Sequence, residues 1–411
     1  MKGRTHKLIV LGVVGLMVVA LLVGGIPGCA KPAPPTPTPA PGPQSPVVSE
    51  WNIPFIAPLT GPAAVWGMES AWAAEAAVDQ VNKTGGIRGV PIKLTKYDAS
   101  FDPAKAVTVM VQVLGTKPLV IHGPMLQEST EPTGDLAVKE GVPFIGSLAS
   151  PALRQRFEPW GCSLYGDFIS ACGRAVVEWL KLNPDIKSLV LFYSPEMAAH
   201  VDEVKAIEEV LKGSAVKILG EIEVPMSQID MSPSAVKAIS LKPDGYFSVL
   251  DADHEAKLSR ELYERGVTEG RRIHHGYASV GPSLFEQGKG FLEDTYIFEW
   301  SNVDYEGTEW QALVEAYKAA HSGALPYGSL IQWHYNTIYA IKAAFEALEI
   351  TGDPAKLSEE RIKIRDFLWN AKDIPGIQGK WSYVKGEKVG PMYTFQIRNN
   401  KPEIVSTLPA E

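Results

Sequence analysis

At 411 residues the chain is too long for one ordinary domain of roughly 150 residues, and two or three units are expected. With 45% hydrophobic and 21% charged residues it has enough apolar side chain to bury sizeable cores, which rules out a wholly disordered or fibrous protein. A net charge of -8 without a basic run argues against nucleic-acid binding, and three cysteines are too few for a disulfide scaffold.

Lys2, Arg4 and Lys7 precede an apolar stretch from Leu8 to Ile26, and the stretch runs into Ile26-Pro27-Gly28-Cys29. A positive segment, an apolar segment and small residues before a cysteine make the layout of a secretory signal. These last residues resemble the lipobox of bacterial lipoproteins, departing from it at Pro27, where a small residue or Val is usual. The resemblance implies that residues 1–28 are removed and that Cys29 carries a diacylglyceryl group. The competing reading is a plain transmembrane anchor, since Leu8 to Ile26 could just span a bilayer. The linker that follows Cys29 at once favours the lipoprotein.

Residues 31–50 hold eight prolines among Ala, Thr, Ser and Gly, with Lys31 and Glu50 as the charged residues. Such a segment cannot pack a core and is expected to act as an extended spacer of roughly 3 Å per residue. Loss of residues 1–28 would remove three of the 39 Lys and Arg and none of the 47 Asp and Glu, taking the charge from -8 to -11. The expected product is an acidic body, residues 51–411, on a tether spanning residues 29–50.

From Trp51 onward β-rich runs alternate with helical ones. Strands are expected at 52–57, 92–97, 119–122 and 142–145, and helices at 66–83, 104–114 and 132–139. Gly85-Gly86 ends the first helix, and Asp102-Pro103 starts the second with an acceptor at the cap and a proline where no N–H is needed. A second series follows, with helices at 171–182, 199–211, 234–239 and 253–265 between strands at 188–193, 216–224, 245–250 and 272–275. After a strand at 296–299 come helices at 309–321, 330–348 and 358–370, then β segments at 378–383 and 392–398. Repeated βα units predict an α/β fold of two doubly wound parallel sheets, with a ligand at the carboxyl ends of the strands.

The sequence carries no phosphate loop, no His-Glu-x-x-His pair and no Gly-x-Ser-x-Gly elbow. His254, His274 and His275 lie in one half of the chain, but His274 and His275 are adjacent on a strand and so point to opposite faces, which makes a shared metal difficult. No cofactor is expected. Cys162 and Cys172 could form a disulfide or remain two buried thiols. Asn82-Lys83-Thr84 matches a glycosylation sequon and reads more simply as a helix end.

Ala57-Pro58-Leu59-Thr60-Gly61-Pro62, Trp66-Gly67, Gly85-Gly86-Ile87-Arg88-Gly89, Asp102-Pro103-Ala104 and Gly141-Val142-Pro143-Phe144-Ile145, in that order and spacing, resemble the leucine/isoleucine/valine-binding receptors, the type I periplasmic solute-binding proteins of ABC importers. The resemblance extends over nearly all of residues 51–411 and is most specific in the first hundred of them. It implies two lobes joined by three crossovers, the first from residues 51–168 and 298–376, the second from 169–297 and 377–411. Closure of the lobes on a small solute would present a changed surface to a permease and its ATPase. A monomer is expected, held outside the cytoplasm on the membrane by the lipid on Cys29.

The family holds a ligand carboxylate with a hydroxyl and backbone N–H groups at helix starts, which favour an anion. Here the matching loops supply Gln127, where the family has Ser, and Ser147 and Ser150. Ser150 and Ser147 have a competing role in capping the helix at Pro151. Trp66 occupies the position of an aromatic wall, or else packs beneath the first helix. Tyr193 and His200 flank the second lobe's first loop, His200 standing near where the family has an aromatic residue. Asp251 and Tyr277 fall where the family places a Tyr and the acid that pairs with the ligand ammonium. A buried ammonium without a carboxylate would cost several kcal/mol, so either Asp251 has taken the clamp's role or the ligand has no ammonium; Asp251 also suits a cap for the helix near Asp253. The expected ligand is an amino acid or a compact carboxylate, aromatic ones included. The alternatives are a sensory ectodomain of the same fold, disfavoured because no second apolar span follows the body, and an extracellular enzyme, for which no nucleophile and base are apparent.

Overall fold

The computed structural model describes residues 44–409 apart from 269, 275–281, 303, 304 and 327. The first lobe opens with β1 (Trp51–Ala57), α1 (Ala64–Lys83), β2 (Ile92–Asp98) and α2 (Pro103–Gly115). It continues with β3 (Ile121–His122), α3 (Gln127–Thr130), α4 (Gly134–Lys139), β4 (Phe144–Gly146), α5 (Pro151–Arg156) and β5 (Gly161–Ser163). The strands form a parallel sheet in the order β2-β1-β3-β4-β5. Central β1 is buried along almost its whole length, as a parallel strand covered on both faces must be, whereas edge strand β2 is only partly covered.

The helix ends follow from local chemistry. Asp102 accepts from Ala104 N at 2.8 Å and Lys105 N at 3.2 Å, with Pro103 in the first turn. After α1 the Gly86 N–H returns to the Val81 carbonyl at 2.9 Å, at a φ of +72° that a Cβ would penalise.

The second lobe comprises α6 (Phe168–Leu182), β6 (Ser188–Tyr193), α7 (Ala198–Leu211), β7 (Lys217–Glu223), α8 (Ser232–Ser240), β8 (Gly245–Val249), α9 (Ala252–Glu264), β9 (Arg272–His274), α10 (Pro282–Gln287) and β10 (Tyr296–Glu299). The chain then returns to the first lobe through α11 (Thr308–Ala320), α12 (Gly328–Ala347) and α13 (Leu357–Trp369), and a small antiparallel sheet of β11 (Ile374–Gly376), β12 (Gly379–Val384) and β13 (Glu387–Val389). It ends in the second lobe with β14 (Met392–Arg398) and β15 (Lys401–Leu408), which extend that sheet to β15-β14-β10-β9-β8-β6-β7 by antiparallel pairing on β10.

Three crossings therefore join the lobes: β5 to α6, β10 to α11, and β13 to β14. The last lies at Gly390-Pro391, later than the boundary at 376/377 read from the sequence. The reason is that β12 and β13 bond into the first lobe, with Ser163 N to Gly386 O at 2.7 Å and Gly386 N to Trp369 O at 2.8 Å. Nor does the sequence boundary at 298 mark the second crossing, because all of β10 pairs within the second sheet.

Helices α1 and α12 pack together, and Trp51 meets Phe345 edge to face at 5.0 Å. Trp51, Trp179, Trp310 and Trp333 are among the largest fully buried side chains, each contributing roughly 1.5–3 kcal/mol or more of hydrophobic burial. Cys162 and Cys172 are both buried and unbonded, and burial pushes both thiols up. Among the described residues no helix is long and apolar enough to cross a membrane.

Candidate functional site

A parallel sheet whose strand order reverses leaves a crevice at the carboxyl ends of the two strands flanking the reversal. In the first lobe β1 has β2 on one side and β3 on the other; in the second β6 has β7 and β8. The crevices therefore open at the loops after β1 and β3, and after β6 and β8. These are the loops that carry most of the residues singled out from the sequence.

The loop after β1 is tied down by Asp98, the last residue of β2. Its carboxylate accepts from Leu59 N at 2.8 Å, Thr60 N at 3.1 Å, Thr60 Oγ1 at 2.6 Å and Lys105 Nζ at 2.6 Å. Burial opposes the charge, but the Lys105 ammonium and these donors win and hold the carboxyl well below the usual range. Against this loop lies Gly67, where a Cβ would stand 1.9 Å from the Pro58 carbonyl oxygen. The close approach seats the first turn of α1 on the loop and carries Trp66, which is buried within the large core cluster that draws on both lobes.

The loops after β3 and β4 are joined by Ser147 N to Pro124 O at 2.9 Å, and the Ser147 side chain is wholly buried. Ser150 is half-buried and caps α5, its Oγ accepting from Leu153 N at 3.3 Å, so its hydroxyl serves the helix. Gln127 begins α3. Its amide nitrogen donates to Glu131 Oε1 at 2.8 Å and reaches Asp202 Oδ2 on α7 at 3.5 Å, while its buried Oε1 has no partner among the described residues.

On the second lobe, His200 sits in the first turn of α7. It is buried, and neither ring nitrogen has a partner among the described residues. Burial pushes its pKa down to about 4 against the pull of Asp251, so the ring is neutral at pH 7. The Ser194 hydroxyl, just after β6, is also buried without a partner there. Tyr193 is turned to the edge strand, where its hydroxyl donates to Glu223 Oε1 at 3.3 Å.

Asp251 caps α9, its Oδ1 accepting from Asp253 N at 3.0 Å and His254 N at 3.1 Å, and its Oδ2 meets His254 Nδ1. The other ring nitrogen of His254 faces the Gln228 carbonyl at 3.0 Å. A carbonyl only accepts, so Nε2 carries a proton, and Nδ1 facing a carboxylate carries the other. His254 is thus an imidazolium. Burial works against both charges, yet the bond between them lowers the Asp251 carboxyl and raises His254. Both Asp251 oxygens are occupied, and His254 has no free nitrogen with which to accept a proton from a substrate.

Between the lobes, the Glu128 carboxylate accepts from Ala198 N at 2.9 Å. Glu128 and Ser194 were not among the residues expected from sequence, and His254 was weighed there only as a metal ligand. The spacing Asp251-x-x-His254 on one helix turn carried a signal for the ion pair; the Glu128 contact spans 70 residues and left none. Tyr277 and Cys29 lie outside the described residues.

A family model described as periplasmic binding protein matches residues 50–402. The Leu/Ile/Val-binding protein of Escherichia coli is 32% identical over 106 residues, 26% of this chain and 29% of that protein, so the chain's match covers less than a third of the relative's length. A leucine-binding protein from Thermotoga maritima has a TM-score of 0.72 at 17% identity, covering 87% of this chain and 98% of its own. A solute-binding protein of an ABC transporter from Rhodopseudomonas palustris, in complex with 3,4-dihydroxybenzoic acid, has a TM-score of 0.75 at 17% identity over 88% of this chain and 98% of that one. Another from R. palustris, in complex with benzoate, has 0.73 at 16% identity over 88% and 97%.

Proposed function

The chain belongs to the periplasmic binding protein family, and on that premise we propose that it is the extracytoplasmic solute-binding lipoprotein of an ABC importer, taking a compact carboxylate that lacks an ammonium group. The ligand would lie between the switch-point loops of the two lobes, beside Trp66, Gln127 and Ser147 on one side and Ser194 and His200 on the other, with Asp251 and Tyr277 at the second lobe's rim. Binding without turnover is the proposed activity. The lipid on Cys29 and the proline-rich segment 31–50 would hold the body at the membrane, within reach of a permease and its ATPase.

One observation carries the substrate class. An amino-acid ligand needs an acidic partner for its ammonium, because an unpaired buried charge costs several kcal/mol. The carboxylate of Asp251 is already shared between the α9 backbone and the His254 imidazolium. The groups left unsatisfied include the Ser194 hydroxyl, the His200 ring and the Gln127 carbonyl oxygen, and the carboxyls with an unpartnered oxygen nearby, Glu128 and Glu203, are both raised by burial, which disfavours the charged form an ammonium would need. A neutral imidazole and a hydroxyl can each donate to a carboxylate or accept from a phenol, and structural neighbours bound to benzoates fit the same chemistry.

The test is a thermal-shift and calorimetric screen of the purified protein against benzoate, hydroxybenzoates, aliphatic carboxylates and leucine. A ligand at 100 times its dissociation constant adds about 2.7 kcal/mol, a shift of several degrees. Stabilisation by benzoates or other plain carboxylates is expected; stabilisation by leucine and not by these would overturn the assignment. Intact-mass analysis of the membrane fraction should find diacylglyceryl on Cys29, and C29S should release the protein in soluble form.

A further inference from the structure

The three crossings between the lobes enclose a cavity of about 40 Å³ lined by Gly166 from the first, Trp300 from the second and Gly390 from the third. Trp381, Lys388 and Gln378 also line it; Trp66, Gln127, Ser147, His200 and Asp251 do not. Lys388 also borders a neighbouring recess of about 230 Å³. Buried hydrogen-bond donors are left over here. The Lys388 ammonium and the Trp381 indole N–H are both sealed from solvent, and neither has a hydrogen-bond partner among the described residues.

The carboxylates and amide oxygens described around the two cavities are engaged elsewhere, and His334, whose Nε2 has no partner among the described residues and whose ring feels the Lys388 charge, lines neither cavity. Asp167 and Glu387 both bond to Arg154, at 2.8 and 3.2 Å, and Asp167 also accepts from Ser170 N at 2.9 Å and Ser170 Oγ at 2.7 Å. The amide oxygen of Gln378 accepts from Asn302 N at 3.0 Å and Gln332 Nε2 at 3.2 Å, and that of Asn336 from Ile377 N at 2.8 Å. What remains for the ammonium is the face of Trp381, with the ring centroid at 5.0 Å, a cation–π contact that satisfies part of its charge. No Asp or Glu lines the 40 Å³ cavity.

A buried charge without a counter-charge costs several kcal/mol, and each unmade hydrogen bond adds more. A water molecule would accept from these donors but brings no negative charge to offset the ammonium. An occupant that only accepts and carries negative charge answers all of these demands at once. We propose that the hinge holds a chloride-sized monovalent anion between Lys388 Nζ and Trp381 Nε1, and that, because each of the three crossings lines its cavity, the bound anion biases the closure of the lobes. Burial pushes the Lys388 ammonium down to about 7, so its charge is at stake near neutral pH, and the anion would hold it protonated.

The experiment uses the purified full chain in sodium gluconate at constant ionic strength, with chloride or bromide replacing gluconate. Melting temperature and tryptophan fluorescence are read together, since Trp300, Trp333 and Trp381 line the cavity. A saturable rise in melting temperature is expected with chloride and bromide, with apparent anion affinity about tenfold lower in K388M and about threefold or more lower in W381F. Bromide-soaked crystals should give an anomalous peak within hydrogen-bond distance of both donors. The absence of a saturable halide response, or an equal response in wild type and W381F, overturns the site. Should K388M fail to fold, W381F, which loses one N–H and keeps a ring, and the anomalous map decide the question.

Discussion

Glu128, on the first lobe, caps a helix of the second: its carboxylate accepts from the backbone N–H of Ala198, the first residue of α7, at 2.9 Å. The residue before α7, Met197, offers no side-chain cap of its own, so the helix end is completed only when the lobes meet. Burial raises the Glu128 carboxyl, against the lowering effect of its backbone donors. E128A should therefore weaken closure, lowering ligand affinity by about 1–2 kcal/mol, roughly tenfold. E128Q, whose amide oxygen also accepts, should lose less. Small-angle scattering and calorimetry with the ligand found in the screen check this; full compaction and unchanged affinity in E128A would refute the latch.

The Asp251 and His254 pair gives a sharper separation between stability and binding. D251A removes the α9 cap and strands a buried imidazolium, and should cost about 2–4 kcal/mol of stability. D251N keeps an acceptor at the cap and should cost less. For a ligand without an ammonium, both variants that fold should bind within about threefold of wild type, less than 1 kcal/mol. NMR titration should place His254 above the ordinary histidine range in wild type and return it toward that range in D251N, the sign expected when a negative partner is lost. A large affinity loss with an unchanged His254 titration would assign Asp251 to the ligand instead.

Much of this arrangement was legible in the sequence because its causes are local. The Asp102-Pro103 start, the strand at 188–193 and the long α12 pattern each rest on a few adjacent residues. Even the capping role of Asp251 follows from its place two residues before Asp253. What escaped were elements too short to show a period: α3 with four residues, and β5 and β13 with three each, strands that exist because a partner strand supplies their hydrogen bonds. The edge strand β15 was hidden by Pro402 and Glu403, tolerated there by its solvent-facing side. The Glu128 cap and the His122 to His334 bond join residues 70 and 212 positions apart, beyond any local pattern.

Gly67 tests whether the seating of α1 matters to the site. In G67A the new methyl meets backbone, the Pro58 carbonyl oxygen at 1.9 Å, rather than a side chain that could rotate. Strain of about 1–3 kcal/mol is expected, with Trp66 shifted along with the helix and ligand affinity reduced. G115A, at the end of α2 with nothing within 4 Å of its Cβ, is the control and should be neutral or slightly stabilising. Urea unfolding and binding on both variants decide; equal behaviour would mean that α1 adjusts freely.

The buried histidine pair of the first lobe sets a dependence on pH with a definite sign. His122 Nε2 and His334 Nδ1 are 2.9 Å apart in rings stacked at 5.0 Å, both wholly buried. Burial pushes His122 to about 3 and His334 well below its usual value. Above pH 6.5 both are neutral whether the chain is folded or not, and they make no pH-dependent contribution. As pH falls below 6.5 the unfolded chain takes up protons that the folded one refuses, so each histidine removes stability at about 1.4 kcal/mol per pH unit until its folded pKa is reached. The opposite sign comes from Glu255, raised to about 7 by burial despite its serine partners, which adds stability as pH falls from 7 toward 4.5. The wild-type profile is therefore a balance, and the informative quantity is the difference between H122L/H334L and wild type. That difference should move in the variant's favour by about 2 kcal/mol or more between pH 6.5 and 5, measured by urea unfolding at each pH. A difference that stays constant across this range would mean that the pair is protonated, or hydrated, in the folded protein.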